Sequence, residues 1–561
     1  MMDNQRLILF VALALVVILM WDAWNQKFSP TAPTVATSQT GPAASTGSVP
    51  APATAAKDTP SAATTVADAP APEKAQAGSQ TGLATQQRIR VITDVLDVDI
   101  DTAGGDLRRA FLRKFPTSAD KATEPYPLMN DSLPQLFIAQ TGLLSNKSAP
   151  DHHAVYTAEK TEYTLADGAA ELKVPLTWVS PEGITVTKVY TFHRNDYLIN
   201  VDHVVKNDSP EEWRGRLYRQ FQRTEYDEPG KSRMLYTFTG GAVSTPEKPY
   251  EKIEFKKMAE WKPAQSYSTG GWVAMLQHYF VSAWVPGPKE VNHLFTRVLG
   301  DGRYILGMTG DETAVASGAS QSFLTGLYVG PKDRQRMEKV EPNLILTVDY
   351  GVLTVIADPL FWSLKQIHNV VGNWGWAIVA VTFLLKLLFY PLSAASYRSM
   401  ANMKKLTPKF QSIRERYADD RQRMSQAMME LYKTEKVNPF SGCWPMLVQI
   451  PVFLALYWTL LESVELRQAD WILWITDLSA KDPFYVLPLL MGATMFIQQK
   501  LSANPGLDPM QQKIMQWMPV IFTAFFMLFP AGLVLYWVVN NTLSIAQQAY
   551  ITRKIEAAAK A

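Results

Sequence analysis

The feature that most constrains this chain is a set of apolar runs long enough to cross a lipid bilayer. Leu7 to Trp24 is apolar except for Asp22. Near the C-terminus come Trp374–Leu392, Trp444–Leu461, about 484–499, about 514–529 and 531–546. A helix of about 20 apolar residues matches the hydrocarbon thickness of a membrane. The runs predict a polytopic α-helical membrane bundle of six spans, five of them forming a core at 374–550. The last two are joined only by the turn around Pro530 and Gly532.

Residues 1–28 read as a retained N-terminal transmembrane anchor, because Trp21 and Trp24 sit where interfacial anchors belong and no A-x-A-like cleavage site follows. A cleaved signal peptide is the alternative. Residues 29–85 are Ala, Pro, Thr and Ser with few large apolar groups. Such a segment cannot bury enough surface to offset its ordering entropy, so it reads as a disordered tether.

Loop charges set the orientation. Between Ser393 and Lys436 there are ten Lys and Arg against five Asp and Glu. That segment belongs in the cytoplasm. The loop from Glu462 to Pro483 has Arg467 and Lys481 against five acids and faces out. The loop with Lys500 and Lys513 returns inside, as does the tail at 551–561. Six spans then leave both termini in the cytoplasm and place the large polar middle outside, in a periplasm.

That middle, residues 86–345, has a period of two. Ile184–Phe192 alternates, His193–Asp196 turns, and Tyr197–Val205 alternates again, which is a hairpin signature. Glu171–Val179 and Tyr279–Val285 read as further strands. An antiparallel β-sandwich is predicted. Trp178, Trp213, Trp261, Trp272 and Trp284 are either core residues or the lining of a sugar or peptide cleft. Asp358-Pro359 predicts a helix start. Leu360, Phe361, Leu364, Ile367 and Val371 then share one face, and Gly372-Asn373 stops the helix. Residues 353–373 are read as an amphipathic helix lying in the membrane interface. A buried helix of the polar domain is the alternative.

Within 393–436 a helical hairpin is predicted. Met400, Met403, Leu406, Phe410, Ile413 and Tyr417 form one stripe, and Met424, Met428, Leu431 and Tyr432 a second. Pro408 kinks or breaks the first arm. Arg398, Lys404, Lys405, Arg414, Arg416, Arg421 and Arg423 give basic faces suited to anionic lipid or ribosomal RNA. A merely solvated charged face is the alternative.

One basic residue, Lys386, lies well inside a span. A lysine at the bilayer centre costs about 2.5–3.5 kcal/mol on insertion scales. It lies five residues before Pro391, so snorkelling to the inner surface is one reading. However, Thr382 is one turn away on the same face, and Gln449, Gln498, Gln499, Gln516, Gln547 and Gln548 also gather at the inner half. Phe453, Leu456, Phe525, Phe526 and Leu528 fill the outer half. The pattern predicts a hydrated half-depth groove with a positive floor, closed on the outer side. The seven histidines show no metal-ligand spacing, the single Cys443 excludes an intrachain disulfide, and no nucleotide or hydrolase motif occurs. No cofactor, metal or catalytic residue is expected. The net charge of +2 argues against a general nucleic-acid binder.

These residues closely resemble the YidC/Oxa/Alb membrane-insertase family in its Gram-negative form. The resemblance rests on Tyr390-Pro-Leu392, Asn438-Pro439, Gly442-Cys-Trp-Pro445, Gln449-Ile-Pro-Val-Phe453, Asp508–Lys513, Met518–Phe522 and Phe529–Trp537, and it covers about 350–550. It implies a non-enzymatic insertase and folding chaperone of the inner membrane. Such a protein acts as a monomer or beside the Sec translocon on nascent membrane proteins, with the ribosome and anionic lipids as further partners. It also implies a β-supersandwich of galactose-mutarotase type for the periplasmic domain. The resemblance makes Thr382, Ile450, Phe453, Phe525 and Trp537 groove or substrate-path positions. The groove charge is usually an arginine in this family, and here Lys386 keeps the charge but loses the planar fork. Where the family often has Tyr in the last span, this chain has Trp537. The other readings weighed, a solute transporter and a sugar-modifying enzyme, lack respectively an internal repeat and any catalytic motif.

Overall fold

The computed structural model describes residues 83–561 except 84, 119–120, 122, 227–236, 266, 419, 436–443, 503–508 and 561. The expected anchor and most of the tether lie outside the described residues.

Residues 88–331 form strands in two sheets, of eleven and nine strands. Ile184–His193 alternates buried and half-buried along its whole length. It pairs antiparallel with Leu198–Asn207, Ile199 opposite Phe192 and Asn207 opposite Ile184. This is the predicted hairpin, with Asn195 in the left-handed region at its turn (φ 55°). Glu171–Val179 and Phe280–Val285 are strands as expected. Among the described residues pairing is antiparallel except between Arg90–Ile92 and Glu162–Thr164. Leu107 and Val98 of the larger sheet share one apolar core with Val174, Val201 and Val273 of the smaller. Trp213, Trp272 and Trp284 are fully buried in strands. Those three pack the interior and do not line a cleft. Trp178 and Trp261 are partly buried against the same core.

Ten helices follow among the described residues: α1 (Arg334–Val340), α2 (Thr354–Val371), α3 (Trp374–Leu388), α4 (Tyr390–Lys405), α5 (Thr407–Arg416), α6 (Arg421–Thr434), α7 (Trp444–Glu462), α8 (Val486–Leu501), α9 (Pro509–Phe526) and α10 (Ala531–Lys560). The chain therefore combines an all-β domain with a helical C-terminal region.

Two sequence expectations are corrected. Asp358-Pro359 does not start α2, which begins at Thr354 and carries Pro359 inside it. A short 3-10 turn, Gly351–Leu353, leads into the helix instead. The Asp358 carboxylate is drawn to Arg334 (2.5 Å) rather than to a helix end. The stop is as expected, with Gly372 left-handed at φ 72°. Leu360, Phe361 and Leu364 are buried, whereas Val371 is exposed.

The second correction concerns Trp374–Leu392, which is not one helix. It ends at Leu388, bends by 66° at Phe389, and restarts at Tyr390 with Pro391 in the first turn. Proline lacks the N–H that a continuing helix needs but fits a first turn, so it favours the restart. Among the described residues no single helix is both long and apolar enough to cross a membrane. The bent pair α3 and α4 meets that standard together. Pro408 begins α5, so the first arm of the hairpin is broken there, and Arg398, Lys404 and Lys405 belong to α4.

The β-domain is fixed to the helices at the end of α7. His278 Nε2 donates to Leu461 O (2.8 Å), and Arg467 donates to Pro116 O (2.7 Å). Lys332 faces Glu462 at 3.9 Å, both side chains almost fully buried. A buried pair of this kind needs both members, because either alone is a desolvated charge.

Candidate functional site

α10 organises the polar groups of the bundle. Tyr536, Asn540, Ser544 and Gln547 recur at intervals of four, four and three, so they share one face. Neighbouring helices meet that face in turn. Gln449 of α7 donates to the Tyr536 hydroxyl at 2.6 Å. Lys386 of α3 donates to Ser544 Oγ at 2.7 Å. Gln547 Nε2 donates to Tyr390 O of α4 at 3.3 Å. The eight helical steps from Tyr536 to Ser544 span about 12 Å. Next to this face lies a second polar line toward α8. Asn541 donates to Thr494 Oγ1 (3.3 Å), and Gln498 donates to Gln548 Oε1 (2.7 Å).

The structure thus brings Lys386 and Gln449 to one helix, through partners that the hydropathy pattern did not single out. Asn540 and Ser544 are polar residues at helical spacing in an apolar run, which is the signal that could have found them. Lys386 is half-buried rather than extended into water. Thr382 is buried, and its hydroxyl donates to Ile378 O within its own helix (2.7 Å).

The expected apolar positions lie beside the polar face. Phe453 packs against Trp537 with ring centroids 4.9 Å apart, and Trp537 meets Phe526 at 5.9 Å. Phe525 contacts Phe529 at 4.7 Å and is exposed, as is Ile450. Tyr457 closes on Phe529. Aromatic rings from α7, α9 and α10 therefore fill the end of the bundle nearer the β-domain, while amides and the ammonium occupy the other end.

The hairpin of α5 and α6 is held by Met403, Leu406 and Phe410 against Met428, Leu431 and Tyr432. Asp420 caps α6 by accepting from the Arg423 N–H at 2.9 Å. With the apolar stripe turned inward, Arg398, Lys404, Lys405, Arg416 and Arg423 are exposed and Arg414 is half-buried. Arg421 opens α6, and its side chain lies outside the described residues. Among the described residues no cluster of His, Cys, Asp and Glu could hold a metal ion.

Residues 88–363 match the family model described as the YidC periplasmic domain, and residues 366–558 match that of the 60Kd inner membrane protein. A membrane protein insertase YidC of Thioalkalivibrio sulfidiphilus is 50% identical over 574 residues, covering 100% of both chains. Another, of Alkalilimnicola ehrlichii, is 50% identical over 559 residues, covering 99% of this chain and 96% of the relative. Among solved structures, an active YidC insertase with its first transmembrane domain resolved aligns with 83% of this chain and 93% of its own. Its TM-score is 0.38 and its identity 18%. With full-length relatives at this identity, the chain belongs to the YidC family of inner-membrane protein insertases.

Proposed function

We propose that the chain inserts its clients through a groove walled by α3, α7 and α10, with Lys386 as its positive floor. The observation that carries this reading is the ammonium of Lys386 tied to Ser544 on the same α10 face that receives Gln449. Polar partners at one end and aromatic packing at the other suit a half-depth path. An acidic or polar client segment is drawn partway in, which shortens the apolar distance left to cross. The client's own apolar stretch then leaves sideways into lipid past Ile450, Phe453, Phe525 and Trp537. Hydrophobic partitioning and the membrane potential, about 2.3 kcal/mol per charge per 100 mV, supply the free energy.

In this reading the chain makes six spans, the first at Leu7–Trp24, with both termini cytoplasmic and the β-domain, folded as a supersandwich, in the periplasm. The 16-residue α8, about 24 Å long, fits a bundle in a locally thin bilayer. The exposed Val355, Trp362 and Val370 make α2 an interfacial helix. The basic α5–α6 hairpin, with the end of α4, meets anionic lipid and the ribosome, and the Sec translocon is a working partner.

The test is Lys386→Ala in reconstituted vesicles. It should slow insertion of small single-span clients with acidic translocated tails. Insertion at the normal rate refutes the groove-charge mechanism. Photo-crosslinkers at Phe453 and Trp537 should capture a stalled nascent client.

A further inference from the structure

Lys386 lies three residues before the bend at Phe389, about 4.5 Å of axial rise. A flexible four-carbon stem could carry its ammonium toward the aqueous end. Instead its Nζ donates to Ser544 Oγ across the contact between α3 and α10. Ser544 is buried, and its own proton is committed to Asn540 O at 2.8 Å. That back-bond fixes the hydroxyl dipole, so the lone pairs face away from α10's backbone and toward the lysine. A serine hydroxyl has one proton and two acceptor sites. Here the proton serves Asn540 and one acceptor site serves Lys386.

We propose that Ser544 is a positioning residue, oriented by Asn540, that holds the Lys386 ammonium on the α10 wall where an acidic client segment meets it. The proposal rests on the reading of Lys386 given above. An ammonium has three donors and Ser544 takes one, so two remain for a client carboxylate or carbonyl. A planar guanidinium is pre-organised by its own shape, whereas a lysine depends on such an anchor to stay at one depth.

The test uses the full-length chain in vesicles with Ser544→Ala, Ser544→Thr and Lys386→Ala. Two single-span clients, differing only in an acidic or a neutral translocated tail, are inserted side by side. Losing one hydrogen bond to a charged group corresponds to about tenfold. Ser544→Ala should therefore lower the acidic-to-neutral ratio of insertion rates about tenfold. Ser544→Thr should restore it. Acylation of Lys386 by an amine-reactive ester, read on its peptide by mass spectrometry, should rise in Ser544→Ala and not in Ser544→Thr. If Ser544→Ala slows both clients equally, or leaves acylation unchanged, Ser544 only packs and the proposal is overturned. An unchanged ratio in Lys386→Ala overturns the groove-charge reading, whereas the acylation rate reports the anchoring alone.

Discussion

Glu465 stands in the turn Val464–Leu466 just after α7, at the junction between the helices and the β-domain. Burial is the largest influence on its carboxyl and pushes it up to about 7, and Asp333 acts in the same direction. Its own backbone N–H, Lys365 and Arg334 pull the other way. The rise from the ordinary 4.5 corresponds to about 3 kcal/mol. The side chain is partly exposed, so solvent screening reduces this to about 2 kcal/mol. The folded chain binds this proton more tightly than the unfolded chain does. Its contribution to stability is therefore fully present below 4.5 and is lost as pH rises through about 7. At pH 8 the folded junction holds a poorly solvated carboxylate.

Glu465→Gln replaces that carboxylate with a neutral group of the same shape. The melting temperatures of the variant and the unaltered chain, read by tryptophan fluorescence in detergent micelles, should coincide near pH 4.5. By pH 8 the variant should melt about 4–8 °C higher, the shift that about 2 kcal/mol gives in a domain of about 150–250 residues. Comparing the two proteins at each pH cancels every other titrating group. A difference that stays constant from pH 4.5 to 8, or a variant less stable at pH 8, would refute the reasoning.

Other perturbations probe the remaining contacts. Lys332→Met leaves the buried Glu462 without its ion-pair partner and should cost about 3–5 kcal/mol, with most of it recovered in the double variant Lys332→Met, Glu462→Leu; thermal melting checks both. Gly375→Ala places a methyl 2.1 Å from Trp471 Cδ1, so it should cost about 1–3 kcal/mol and raise protease cleavage between residues 463 and 482, and Trp471→Ala should relieve it. Phe410→Ala empties a fully buried position between α5 and α6, at about 3–5 kcal/mol, and should speed amide exchange in those two helices while leaving the β-domain unchanged.

What the sequence made legible follows the range of the interactions involved. The hairpin Ile184–Asn207 was readable because alternation is a local property and its two strands are neighbours in the chain. The apolar runs were readable as helices for the same reason, since length and composition need no partner. Asp358 misled because a capping pair looks the same in sequence whether or not Arg334, 24 residues earlier, claims the carboxylate. Pro391 was placed inside a span because proline's effect depends on whether the helix must continue, and here it restarts at a bend. The polar face of α10 lay in plain view as Tyr536, Asn540, Ser544 and Gln547, yet a serine in an apolar helix is ambiguous. It can satisfy itself on the carbonyl one turn back, as Thr382 does on Ile378, and then it has no further role. Ser544 makes the same back-bond to Asn540 and still accepts from Lys386, 158 residues away. The two hydroxyls differ only in what faces them from another helix. In such a bundle a polar residue becomes a candidate for function through its pairing, and pairing is what the fold supplies.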